Sequence, residues 1–132
     1  MRTYKFRGKS EYGWRFGDLK TDLTNGDCTS IYDGLTPCLD YEVHPDSVGQ
    51  FCGIIDTSTP PKEIYDGDII EGKSGIRHLV KYDEVAAAFL AYKLPLNEFD
   101  NGCHIENDWV VKFEKKVIGN VFDNPDLIKK EE

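Results

Sequence analysis

The stretch Glu63–Ile70, EIYDGDII, constrains the fold most, because it joins a turn to the start of a buried strand. Asp66-Gly67 predicts a tight turn: Gly67 takes positive φ at little steric cost, and Asp66 can accept a hydrogen bond from the backbone two residues on. Ile69-Ile70 then opens a β-branched strand. A Gly-Asp step followed by paired aliphatics is how a tight turn enters many small barrels, where the carboxylate can accept backbone N–H groups of the turn. The expectation is a chain of short strands joined by flexible corners.

The remaining segments support that expectation. Thr3–Arg7 alternates Tyr4 and Phe6 with polar residues and ends at Gly8, while Tyr12–Leu19 carries Tyr12, Trp14 and Phe16 at the same spacing. The two predict a hairpin across Gly8–Glu11 with its aromatics packed on one face. Asn25-Gly26-Asp27 and Asp33-Gly34 mark turns around a short strand, Cys28–Tyr32, and Leu39–Val43 alternates as another strand before a turn at His44-Pro45-Asp46-Ser47. Gly49 and Gly53 inside the apolar run Val48–Ile55 predict a bent or bulged strand, and the prolines of Asp56–Lys62 make that segment a loop. Gly72–Gly75 reads as a hairpin connection into Ile76–Tyr82, with His78, Val80 and Tyr82 on one face.

Asp83–Lys93, DEVAAAFLAYK, is ambiguous, since its alanines and leading acids favour a helix. Leu94–Asp108 reads as an irregular exposed excursion. Trp109–Phe113 and Lys116–Phe122 read as the last strands, with Gly119-Asn120 able to bend the second. Asn124-Pro125-Asp126 then reads as an N-cap, a first-turn proline and an N-terminal acid for a short helix.

Taken together, KFRGK (Lys5–Lys9) followed by Trp14, VGQFCGIID (Val48–Asp56), EIYDGDII and VIGNVFDNPDL (Val117–Leu127) resemble the YopX-like family of phage and prophage proteins, for which no biochemical activity is established. The resemblance implies a mainly β fold: a partly open SH3-like β-barrel with an N-terminal β extension and a short C-terminal helix. On this view residues 1–132 form a single YopX-like domain, divided into the extension (1–47) and a barrel-like core (48–132). The resemblance also implies a turn near Asp83-Glu84 and a returning strand through Phe89–Tyr92, and we follow it over the local helix propensity. The Pro60-Pro61 step departs from the Asn-Gly usual at that connection.

At 132 residues the chain suits one domain, and no apolar run approaches the ~20 residues of a membrane span. The N-terminal stretch carries charge without the apolar region of a secretory signal, so the cytoplasm of a bacterial host is the expected location. A net charge of −8 opposes general nucleic-acid binding. The charge is uneven, with Arg2, Lys5, Arg7, Lys9 and Arg15 at the start and Asp18, Asp22, Asp27, Asp33, Asp40, Glu42 and Asp46 following. Pairing between these segments is the simplest expectation. Cys28, Cys38, Cys52 and Cys103 lie far apart with no CxxC pair, which reads as small, partly buried thiols rather than a metal knuckle.

Candidate chemistry is sparse. His44 with Asp46, the turn acids Asp66 and Asp68, and His104, Glu106 and Asp108 are the groups that could converge. The last three would share one side of a strand and could bind a divalent metal, but such triplets arise easily in acidic loops. His78 reads as a structural histidine, and Asp68 as an acceptor for turn amides. No nucleophile elbow or phosphate loop is present, so no catalytic residue, cofactor or metal is expected. The expected role is a phage accessory protein acting through protein contacts. Its acidity fits a host or phage partner with a basic surface, and the exposed strand edges of the N-terminal extension suggest a homo-oligomer. The alternatives are a nucleic-acid-binding module using the basic, aromatic N-terminus, and a small metal-dependent enzyme.

Overall fold

The computed structural model describes residues 4–22, 28–34 and 40–128. The chain divides into two compact units, Met1–Phe51 and Cys52–Glu132. The boundary falls inside a strand, a few residues after the expected end of the N-terminal extension.

In the first unit, β1 (Phe6–Ser10), β2 (Gly13–Asp22), β3 (Cys28–Tyr32) and β4 (Tyr41–Glu42) pair antiparallel in sequence order, and the start of β5 (Gly49–Ile55) lies on the other side of β1. The β1–β2 hairpin forms, but Gly8 lies within its first strand instead of ending it. The turn is Glu11-Tyr12, where the Ser10 hydroxyl donates to the Gly13 carbonyl at 2.7 Å and accepts from the Tyr12 amide at 3.2 Å. Gly8 is needed for space: a Cβ there would meet the Val43 side chain at 2.7 Å. Val43 and Ile31 are buried. The predicted turn at Pro45 is a 3₁₀ turn, Pro45–Ser47, in which the Ser47 hydroxyl donates to the His44 carbonyl and accepts the Lys9 amide. Arg2, Thr3, the Asn25-Gly26-Asp27 turn, Cys38 and Leu39 lie outside the described residues.

The expected aromatic face is corrected here. Tyr4, Tyr12 and Phe16 are exposed, whereas Arg7 is buried. The register pairs Arg7 with Phe16 and Lys9 with Trp14, which places Arg7, Lys9, Trp14 and Phe16 on one face. The charged heads lie over the indole there, with Arg7 Cζ 4.8 Å and Lys9 Nζ 5.4 Å from the Trp14 ring centre.

In the second unit, β6 (Glu63–Tyr65) neighbours β5, and Asp66-Gly67 turns the chain into β7 (Asp68–Glu71) of a different, five-stranded sheet. Gly67 has φ 92°. Its N–H donates to the Val80 carbonyl at 2.7 Å, and its carbonyl accepts the Val121 N–H at 2.8 Å, so this corner is tied on both sides. The five-stranded sheet runs β10 (Cys103–His104), β9 (Ala88–Lys93), β8 (Arg77–Asp83), β7, β11 (Lys116–Asn120), all antiparallel. The architecture is mainly β and open, since neither sheet closes on itself.

Asp83–Lys93 is a turn and a returning strand, as the resemblance implied. The Asp83 carboxylate accepts the Val85 and Ala86 amides and the Tyr92 hydroxyl, and Ala87 takes φ 52°. These contacts end any helix before it starts. Trp109–Phe113 is the opposite case: the expected strand is part of α1 (Asn107–Lys112) and its C-cap. Its β-branched and aromatic residues suggested a strand, but Trp109 and Phe113 stand one helical turn apart with ring centres 6.4 Å from each other. Val110 is fully buried beside Ile64, Ile70 and Val80. The C-terminal helix is a single 3₁₀ turn, Pro125–Ile128, and the Asn124 side chain accepts the Asn120 amide of β11.

Candidate functional site

The sequence candidates do not assemble into one site. His44 lines a shallow concavity of about 350 Å³ with Lys9, Glu11 and Glu42, while Asp46 lies in the following 3₁₀ turn. His104, Glu106 and Asp108 do not share a strand, because β10 ends at His104, Glu106 is the N-cap of α1 and Asp108 lies in its first turn. Among the described residues no group of three or more His, Cys, Asp or Glu side chains is placed to hold a metal ion.

The turn acids act on the backbone. Asp68 is 1% exposed, and its Oδ2 accepts the Tyr65 N–H at 2.7 Å, as expected for a carboxylate closing the Asp66-Gly67 corner. Asp66 reaches farther than expected and accepts the Tyr82 N–H of β8 at 3.2 Å.

Two polar clusters were not anticipated. The first is centred on Asp56, whose carboxylate accepts the Ser58 amide and hydroxyl, the Lys62 amide and the Val117 amide at 2.8–2.9 Å. Burial pushes its carboxyl up, but the bonds from Lys62, Val117 and Ser58 outweigh this and hold it below the usual carboxylate range. The adjacent Thr57 donates both its N–H and its hydroxyl to the Lys115 carbonyl. With Asn124 on the Asn120 amide, the outer rim of β11 is occupied by side chains and loop.

The second cluster is Lys115 with His78 and Trp109. Lys115 is only 3% exposed, and its Nζ lies 3.3 Å from His78 Nδ1, 3.4 Å from the Ile76 carbonyl and 5.0 Å from the Trp109 ring centre. Burial lowers the Lys115 ammonium from its ordinary value. Burial and the neighbouring ammonium push His78 down to about 4, so its ring is neutral at pH 7 and can accept from Lys115. The pair supports the turn before β8. This agrees with the structural reading of His78. Nothing in the sequence singled out Lys115 as its partner.

Beside this turn, Ile76, Arg77, Lys93, Leu94, Pro95 and Leu127 line an open groove of about 540 Å³. Residues 94–100 form an exposed loop at one side of it, with Phe99 82% exposed.

These features define a class: a small, mainly β protein of two open-sheet units, whose buried polar groups hold turns and loops. The chain belongs to the YopX protein family, whose sequence model matches residues 5–129. No curated protein matches the chain.

Proposed function

We propose that the protein is a non-catalytic phage accessory protein that acts through protein contacts in the bacterial cytoplasm. The observation that carries this reading is the display of large apolar side chains on a strongly acidic chain. Phe99 and Val85 are 82% and 99% exposed at two loops of the second unit, while the chain has a net charge of −8. Apolar groups held at loop tips suit a contact surface, and the acidity favours a partner with a basic face, including one that normally holds DNA. Asp56, Asp68 and Lys115 further support the reading, because each holds backbone, while His78 packs against the Lys115 side chain. Among the described residues no helix is long and apolar enough to cross a membrane. Self-association belongs to the same proposal.

Affinity capture from the native host tests it. The expected result is a stoichiometric partner that elevated salt releases and a polyanion such as heparin displaces. Recovery of no such partner, together with a turnover activity in the purified chain, would overturn the reading.

A second reading, a nucleic-acid-binding module, is favoured by one observation: Arg7, Lys9, Trp14 and Phe16 share a sheet face. Oligonucleotide binding that weakens with salt and is lost on changing Lys5 and Arg7 would support it.

A further inference from the structure

We propose that the loop at residues 94–100 and the groove at its root form a docking surface for a second copy of this chain, each copy placing its loop tip in the other's groove. The inference rests on the self-association part of the functional reading and assigns it a place. The groove has an apolar lining of Ile76, Leu94, Pro95 and Leu127, with Arg77 and Lys93 beside it. Arg77 uses Nε on Glu71 at 2.7 Å, and the rest of its guanidinium fork is available for a carboxylate. The loop carries the complementary chemistry. Phe99 is 82% and Leu96 37% exposed, and the exposed Glu98 stands between them.

The loop is also held in shape. The Asn97 side chain accepts the Phe99 amide at 2.9 Å, and Asp100 accepts the amides of Lys93 and Gly102 at 3.0 and 2.8 Å. Docking a pre-shaped tip loses less conformational freedom than docking a flexible one. Charge argues for this face in particular. Two copies each carrying −8 repel over most orientations, so self-association needs a place where a cationic patch meets an acid. Arg77 and Lys93 facing Glu98 supply it. Because loop and groove adjoin on one unit, a single two-fold axis can satisfy both contacts at once.

The test is sedimentation of the full chain at micromolar concentration in physiological salt. The expected result is a reversible dimer that Phe99→Ser, Lys93→Glu and Glu98→Lys each weaken at least about tenfold, with the double variant Glu98→Lys/Lys93→Glu returning to within about threefold of the original. Val85→Ser, at an equally exposed apolar residue on another loop, should leave the dimer unchanged. All these positions are exposed, and unchanged melting curves would show that the variants fold. A monodisperse monomer overturns both this surface and the self-association reading. An oligomer indifferent to the loop and groove variants overturns the surface and leaves that reading standing. Weakening by the single changes without recovery in the double variant also overturns the proposed pairing.

Discussion

Asp56 Oδ2 accepts the Val117 N–H at 2.9 Å, joining positions 61 residues apart and fixing the Pro60-Pro61 loop to the last strand. The same carboxylate takes three further hydrogen bonds from Ser58 and Lys62. Asp56→Ala leaves these donors without their acceptor and should destabilise the protein by about 3 kcal/mol. The sign with pH follows from the lowered folded-state pKa. The carboxylate's contribution is complete above its unfolded value of about 3.9 and is lost as pH falls through the folded value. Urea unfolding of both proteins at pH 7 and pH 3 should show the gap between them narrowing at the lower pH.

Asp68 makes a comparable bond in a fully buried setting, on the Tyr65 amide. Asp68→Ala should cost about 2 kcal/mol through the unsatisfied amide at the corner. A shift in the urea midpoint at constant m-value checks this. An unchanged midpoint would refute its role in holding the turn.

His78 should titrate near 4, readable from its ring signals by NMR. Lys115→Met removes the second cause of the depression but not burial, the larger one. The midpoint should therefore rise while staying below the ordinary 6.5. A ring kept neutral in the fold gives stability that is complete above 6.5 and declines as pH falls toward 4. In His78→Gln the stability profile should flatten across that window.

Gly8 leaves no room for a side chain, since the Val43 methyl carbons would lie 2.7–3.0 Å from a Cβ. Gly8→Ala should cost about 1–3 kcal/mol by overpacking. Val43→Ala in that background should recover part of the loss, which a double-mutant cycle measures.

Cys103 is exposed on a two-residue strand, whereas Cys52 is half-buried and burial pushes its thiol up to about 11. Burial also raises the Cys103 thiol, but it stays accessible. Timed alkylation at pH 8 with peptide mapping should label Cys103 before Cys52.

Much of the strand pattern was legible because its signals are local. Gly67 at φ 92° and Gly75 at φ 84° sit in the turns they announced, and Gly53 at φ 95° lies inside β5 where a bulge was expected. Misreadings arose where identity and context diverged. Trp109, Val110 and Val111 have strand propensities, yet packing of Val110 against Ile64, Ile70 and Val80 draws the segment into a helix. Asp108 in the first turn and the Trp109–Phe113 spacing were the available signals. At the N-terminus alternation located the strands, but burial does not follow residue type there: Arg7 and Phe16 share a face, yet Arg7 is buried and Phe16 exposed. The Asp56 knot and the Lys115–His78 contact lay beyond sequence reasoning, because their partners are 61 and 37 residues away.

The side chains of Asp56, Thr57 and Asn124 along β11 carry a consequence for life at high concentration. Hydrogen-bonding positions on that border are already filled from within the same molecule, so a neighbouring polypeptide finds few places to extend the sheet there. Aggregation by strand addition at that border should therefore be disfavoured even where salt screens electrostatic repulsion.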